Sequence, residues 1–310
     1  MKIASIDIGT NTILMLIAEY DYSGNRILPL KNLIRIPRIG KDVAKSWKIG
    51  RDKIDELIEI LRDYSVYAKN EGCSAILASG TNAFRLALNS SEIISQVYKV
   101  TGVKISVIEP LDEALFSYLG VVGEADSYKN LVIDIGGGST EVILGEGKEI
   151  IALQSFQLGV VELTEKFIES YPVSTEKIHG MRKYVGSVIN NFLSEIKAIS
   201  NVYAIAGTPT TLASLKAGVS DLEEEKVHNT RLYTAEIDDF ADQFSLLTPE
   251  KLLMKYSVSK GREDVILAGT LILSEILKKI SADFVRVSAY GLRYGAIRYY
   301  VTMNAGKYFE

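Results

Sequence analysis

Two short segments of the chain join an aspartate to a run of small residues: Ile6-Asp7-Ile8-Gly9-Thr10-Asn11-Thr12 and Ile133-Asp134-Ile135-Gly136-Gly137-Gly138-Ser139-Thr140. A strand that ends in Asp-x-Gly and turns through small residues offers backbone N–H groups to phosphate oxygens, and its Asp can bind Mg²⁺ or the waters around it. Gly136-Gly137-Gly138 carries no Cβ to keep a phosphate off the backbone. Either segment alone reads equally well as a tight hairpin turn whose Asp caps loose N–H groups. The two together, 127 residues apart and flanked by the same apolar residues, read as a duplicated pair of phosphate-binding loops.

A third anion-binding candidate is Ala206-Gly207-Thr208-Pro209-Thr210-Thr211-Leu212, where a strand ends and Pro209 suits the first turn of a helix. Gly207 and Thr208 would then meet phosphate at a helix start, although an ordinary Thr cap accounts for the same pattern. Hydrolysis also needs a group that orients or deprotonates water, and Glu113 and Glu141 are the candidates. Glu113 opens a helix; Glu141 directly follows the glycine-rich turn. Each also fits a plain helix-start or strand-edge charge. Arg85, downstream of Gly80-Thr81-Asn82, is a planar bidentate donor suited to phosphoryl oxygens, or else a solvated surface group. Asp134, together with Asp7, is the candidate metal ligand.

These residues sit in a chain of 310 amino acids, 47% hydrophobic and 24% charged, enough for two folded domains. The net charge of −4 makes the whole molecule a poor binder of polyanions, so any affinity for phosphate must be local. One segment has the right sign. Residues 35–51 hold Arg35, Arg38, Lys41, Lys45, Lys48 and Arg51 against Asp42 alone. The stripe guides a phosphate chain or is a solvated connector, and with the single aromatic Trp47 it does not suit nucleic acid. One cysteine, Cys73, excludes an internal disulfide, and with only His179 and His228 beside it a His/Cys zinc site is implausible. Asp7 interrupts the N-terminal apolar run, so no signal peptide or membrane span is expected, and the expected location is the cytoplasm.

The elements that would position these groups follow an α/β pattern. Three strands joined by turns open the chain, the first over 2–8, the second over 13–20 and the third after a turn at Gly24. A helix over 51–70, a strand at 74–79, a helical stretch over 81–100, a strand at 103–108 and a helix over 111–121 complete the first half. The second half repeats the opening hairpin and continues with a strand at 149–155, helices over 160–170 and 175–198, a strand at 202–206, more helices, a strand at 283–288 and a final helix. The short polar stretch Gly123–Ser127 marks the expected boundary, giving domains 1–126 and 127–310.

In order and over nearly the whole chain, these motifs resemble the exopolyphosphatase and guanosine pentaphosphate phosphohydrolase (Ppx/GppA) family. Beside the two loops, Gly80-Thr81-Asn82-Ala83-Phe84-Arg85-Leu86-Ala87-Leu88-Asn89 is similar to its Thr-x-x-x-Arg-x-Ala-x-Asn segment, and Val132–Glu141 reproduces its second loop without a gap. Gly207–Ala213, Arg262-Glu263-Asp264 and Ser288–Gly295 are similar to the remaining blocks. The resemblance implies two duplicated actin/sugar-kinase-like (ribonuclease H-like) domains with a cleft between them. It implies Mg²⁺ or another divalent cation as cofactor, and inorganic polyphosphate or a (p)ppGpp-type nucleotide as substrate. A homodimer is one assembly it implies. It aligns Glu113 with the family's catalytic glutamate, and Asp134 and Glu141 with acids around metal and water. Gly9, Thr10, Asn11, Thr12, Gly136, Gly137, Gly138, Ser139, Thr140, Gly207 and Thr208 become substrate contacts, and Arg85 a catalytic clamp. Two departures stand out: Glu109-Pro110-Leu111 replaces a Ser-Gly turn ahead of Glu113, and Glu162 falls where a basic residue is usual. The chain also resembles the short form of the family, without the extra helical domains that help longer members hold long polymers.

Overall fold

Short apolar runs separated by turns build three consecutive antiparallel strands at the start of each half. The computed structural model describes residues 1–302 other than 24, 123–127, 197, 220–222, 257 and 259, so the expected turn at Gly24 and boundary at Gly123–Ser127 lie outside the described residues. The first half runs β1 (Lys2–Ile8), β2 (Ile13–Asp21), β3 (Arg26–Arg35), α1 (Val43–Ser46), α2 (Arg51–Asn70), β4 (Ala75–Gly80), α3 (Asn82–Leu86), α4 (Ser90–Thr101), β5 (Ile105–Val107) and α5 (Pro110–Val122). The second runs β6 (Lys129–Ile135), β7 (Thr140–Glu146), β8 (Glu149–Phe156), α6 (Val160–Phe167), α7 (Thr175–Glu195), β9 (Asn201–Ile205), α8 (Gly207–Ala217), α9 (Glu224–Val227), β10 (Arg231–Tyr233), α10 (Thr234–Ser245), α11 (Pro249–Lys255), α12 (Ile266–Lys279) and β11 (Phe284–Val287), before α13 (Leu292–Thr302).

The first sheet has the order β3-β2-β1-β4-β5, and the second β8-β7-β6-β9-β11 with β10 added at its edge. In both, the first strand pairs antiparallel with the second and parallel with the fourth. The match extends to detail. β1 and β6 have the same sequence of buried and half-buried positions. The register shift between Ile17 and Ala18 recurs 127 residues later between Leu144 and Gly145. Each half is thus an actin-like, ribonuclease H-like α/β domain, and the duplication is structural as well as sequential.

The chain divides into two compact units, Met1–Gly120 with α13 added, and Val121–Tyr290. The last helix therefore belongs with the first unit and not with the 127–310 segment to which a linear division assigns it. Its apolar face decides this. Leu292 and Ala296 cluster with Ile108 and Phe116, and α13 packs along β1. Periodicity gives such a helix, but not which sheet it covers.

In the first unit, Ala4, Ile6 and Ile8 point to one face of β1 and share a core with Ile54, Leu57 and Leu61 of α2 and Ile93 and Val97 of α4. Asp7 lies on the alternate face. The helix expected over 81–100 is two helices. The amide of Asn89 donates to the Ile49 carbonyl at 3.0 Å, and its oxygen accepts from the Ile49 N–H at 3.1 Å, which fixes the chain in a break between α3 and α4. In the second unit α12, buried along most of its length, is the central helix. Arg182 of α7 ties it to α10 through Glu275 at 2.6 Å and Asp238 at 3.0 Å. Among the described residues, no helix is long and apolar enough to cross a membrane.

Candidate active site

Each hairpin delivers its aspartate to the end of a central strand and turns through four residues. Gly9 donates to the Thr12 carbonyl at 3.0 Å, and Gly136 to the Ser139 carbonyl at 2.9 Å, so Thr10, Asn11 and Thr12 correspond to Gly137, Gly138 and Ser139. The carbonyl after each loop glycine is held from outside by an equivalent residue. Gly40, five residues past the end of β3, donates to Thr10 at 2.8 Å; Val161, five past the end of β8, donates to Gly137 at 2.8 Å. Val160 adds a bond to the Gly136 carbonyl at 3.0 Å. Close approach makes glycine necessary at both clamps. A Cβ on Gly40 would lie 2.2 Å from Thr10 Cγ2, and one on Gly159 would lie 2.2 Å from the Gly137 carbonyl oxygen. The side-chain amide oxygen of Asn11 is buried and has no hydrogen-bond partner among the described residues. An amide flip would present its NH₂ there instead, a donor suited to a phosphate oxygen.

The copies differ where chemistry would reside. Asp7 faces Leu14 across the first hairpin, whereas Asp134 faces Glu141 across the second. Cross-strand partners project from the same face, so the second unit sets two carboxylates side by side. Glu141 is almost fully buried and its Oε1 accepts from the Ser155 hydroxyl at 2.7 Å. Ser155 is its register partner on β8, a contact the sequence conceals because it depends on the β7–β8 pairing. Thr140 is equally buried and its hydroxyl donates to the Leu158 carbonyl, anchoring the strand to the approach of α6. Among the described residues, no group of three or more His, Cys, Asp or Glu converges as a metal cage. Mg²⁺ usually takes one or two carboxylates, retains waters and completes its shell on phosphate, so the Asp134–Glu141 pair fits it without a third ligand.

In the first unit, Pro110 opens α5 and the Glu109 carbonyl receives the amides of Asp112 and Glu113 at 3.0 and 2.9 Å. The departure from the Ser-Gly turn therefore still presents Glu113 in the first helical turn. Its side chain is 11% exposed, and Oε2 accepts from Arg85 Nη1 at 2.6 Å. The same Nη1 donates to the Ile108 carbonyl at 2.9 Å. Burial pushes the Glu113 carboxyl above its ordinary value, and Arg85 pulls against that rise by charge and hydrogen bond. Arg85 is thus no solvated surface group, being 13% exposed and orienting Glu113. Arg85→Met removes that opposing charge, so the Glu113 carboxyl should titrate at still higher pH, read by carbon-13 NMR of the labelled side chain. An unchanged or lower titration would show that Arg85 does not act on Glu113.

The third candidate is partly committed to packing. Ala206 precedes α8 at φ 73°, a strained conformation outside glycine. Thr210 back-bonds to the Ala206 carbonyl at 2.9 Å, and Thr211 receives Arg262 Nη1 at 3.0 Å. Thr208 is buried against Gly269 of α12, and Arg262 lies against Gly207. Glu162 occupies the first turn of α6, next to the residues that clamp the second loop. Burial pushes its carboxyl up, Lys166 opposes this, and Glu165 adds to it.

The sequence profile of the Ppx/GppA phosphatase family matches residues 16–302. The chain belongs to that family. The bifunctional 3-dehydroquinate synthase/phosphatase of Fusobacterium nucleatum is 33% identical over 310 residues, covering 95% of this chain, which spans only 46% of that relative's length. Exopolyphosphatase 2 of Mycobacterium tuberculosis is 27% identical over 290 residues, covering 90% of this chain and 91% of that protein. A crystal structure of the Aquifex aeolicus Ppx/GppA family member superimposes with a TM-score of 0.83 at 28% identity, covering 98% of both chains. These likenesses run through both units, so the duplicated hairpins are those of a Ppx/GppA phosphatase.

Proposed function

We propose that this Ppx/GppA phosphatase is an exopolyphosphatase, releasing terminal orthophosphate from inorganic polyphosphate. The observation that carries hydrolysis is Glu113: a carboxylate in the first turn of α5, buried, oriented by Arg85 and shifted toward the pH at which a general base works. Polyphosphate is the substrate named for the M. tuberculosis relative, an exopolyphosphatase that this chain resembles over nine-tenths of its length.

In this reading Gly9–Thr12 is the phosphate-binding loop of unit 1 and Gly136–Thr140 that of unit 2. Loop N–H groups and hydroxyls bind and orient the terminal phosphoryl group. Glu113 accepts a proton from the attacking water as its oxygen bonds to phosphorus, the terminal P–O anhydride bond breaks, and its electron pair leaves on the shortened chain. Asp134 and Glu141 of unit 2 would hold Mg²⁺, which when bound offsets phosphate charge, and Asp7 is the corresponding candidate ligand of unit 1. Gly207 and Thr208 are further phosphate contacts in this reading.

Phosphate release from medium-chain polyphosphate, run beside guanosine pentaphosphate and ATP with Mg²⁺, tests it. Fast release from polyphosphate is the expected result. Preferential cleavage of the pentaphosphate nucleotide would make the protein an alarmone phosphatase instead. Binding of both without release would make it a sensor.

A further inference from the structure

The two duplicated loops are clamped by duplicated connectors, and the connectors carry opposite charge. In unit 1 the segment from the end of β3 to the start of α2 holds six basic residues, Arg35 to Arg51, against Asp42 alone. The corresponding segment in unit 2, from β8 to α7, holds Glu162, Glu165 and Glu169 against Lys166 alone. Both perform the same structural task, since Gly40 and Val161 donate to equivalent loop carbonyls. A requirement of folding would be shared by the two copies. The charge is not shared, so it answers to something that one unit meets and the other does not.

The basic connector is fixed as well as charged. Arg38 donates from its backbone to the Asn11 carbonyl at 3.0 Å, so the segment starts on the first phosphate loop itself. Val43 and Ile49 are buried in the unit 1 core. At the far end Asn89 holds both backbone groups of Ile49, and Leu88 donates to the Trp47 carbonyl at 2.9 Å. Between these anchors Lys41, Lys45 and Lys48 are exposed. Lys45 meets Asp42 at 3.7 Å, with both side chains more than half exposed, a contact too solvated to neutralise it. Arg51 pairs with Asp55 at 3.2 Å and marks where the stripe ends.

We propose that residues 38–48 form a track for the part of the substrate beyond the phosphate being removed, and that this substrate is an inorganic chain of many phosphates. Evenly recurring point charges on a fixed backbone suit a repeating polyanion. A nucleoside would need a base pocket, and a nucleic acid would need several stacking platforms where the segment has one aromatic. The proposal rests on the exopolyphosphatase reading for its substrate, but it predicts binding independently of turnover.

The chain's single tryptophan, Trp47, lies in the track with 52% of its surface exposed, so intrinsic tryptophan fluorescence reports on this segment alone. The test is titration of the intact protein with long-chain polyphosphate, tripolyphosphate and single-stranded DNA at several salt concentrations. It is repeated with the Lys41→Gln/Lys45→Gln/Lys48→Gln variant, whose substitutions are exposed and spare the core. Expected is a Trp47 response that saturates with long-chain polyphosphate and is much weaker with the trimer. In the variant, affinity for the long chain should fall about tenfold or more, and the slope of log affinity against log salt by roughly one per lysine that touches phosphate. KM for the long chain should rise by more than KM for the trimer. Phosphate release with a silent Trp47 and unchanged KM ratios would overturn the track and leave the exopolyphosphatase standing. Saturable, lysine-dependent binding without release would keep the track and overturn the hydrolase. Equal affinity for DNA would overturn selectivity for phosphate chains.

Discussion

Glu113→Gln is expected to bind polyphosphate within a few-fold of the unaltered protein and to lose turnover by about 10²–10⁴-fold, the usual contribution of a positioned general base. Gln keeps the shape and still accepts from Arg85, so the 2.6 Å contact has a replacement and the α5 terminus keeps its geometry. What it cannot do is take a proton. The pH dependence makes the assignment sharper. Burial raises the Glu113 carboxyl above its ordinary value, so the protonated, inactive form persists to higher pH than for an exposed carboxylate. Activity should therefore rise with pH through a limb whose midpoint lies above the ordinary carboxylate value, and the residual rate of the Gln variant should lack that limb. The measurement is kcat against pH for both proteins, with binding followed separately. Near-normal kcat in the Gln variant would remove Glu113 from the chemistry; a loss of binding equal to the loss of rate would make it a substrate contact instead.

Much of this site was legible because its chemistry is written in local runs. The two Asp-x-Gly loops announce themselves by composition, their 127-residue spacing announces a duplication, and the structure reproduces it down to a shared register shift. Helix α2 was equally open to reading, since Ile54, Leu57, Ile58 and Leu61 recur at helical spacing. Long-range pairings were not. The contact of Ser155 with Glu141 exists only once the register of β7 on β8 is set, and that of Arg85 with Glu113 joins residues on different helices. The break between α3 and α4 was hidden for a similar reason. Residues 81–100 have helical periodicity nearly throughout, but Asn89 is drawn into a bond with Ile49, 40 positions earlier. Placement of α13 on the first unit is a matter of which apolar face remains uncovered, and no window of sequence contains that information. The role of Gly159 was concealed too, because it depends on a backbone contact with a loop more than twenty residues away.

Gly159→Ala should lower activity sharply by crowding the second phosphate loop. Its backbone, φ −113° and ψ 166°, is extended and open to alanine, so the effect is purely one of space. The added carbon would meet the Gly137 carbonyl oxygen at 2.2 Å, the Gly137 carbonyl carbon at 2.3 Å and the Gly138 nitrogen at 2.4 Å. All three are backbone, so no rotamer change relieves the clash. Either the loop or the start of α6 must move by about an ångström to restore ordinary van der Waals distances. The two are bound together by the Val160 and Val161 amides, so displacement strains those bonds as well. A misplacement of that size in a phosphate-positioning loop corresponds to about 100-fold in rate, and overpacking of this kind costs roughly 1–3 kcal/mol. Gly186→Ala is the control. It lies inside α7, its Cβ meets nothing within 4 Å, and it should raise stability by about 1 kcal/mol through helix propensity with kinetics unchanged. Comparing kcat/KM and thermal midpoint for the two variants separates the outcomes. If Gly159→Ala is destabilised yet turns over normally, α6 has yielded and the loop Gly136–Ser139 has kept its geometry, so the substitution costs packing alone. If rate falls about 100-fold with only a modest loss of stability, the backbone of that loop is the surface on which the phosphoryl group is held.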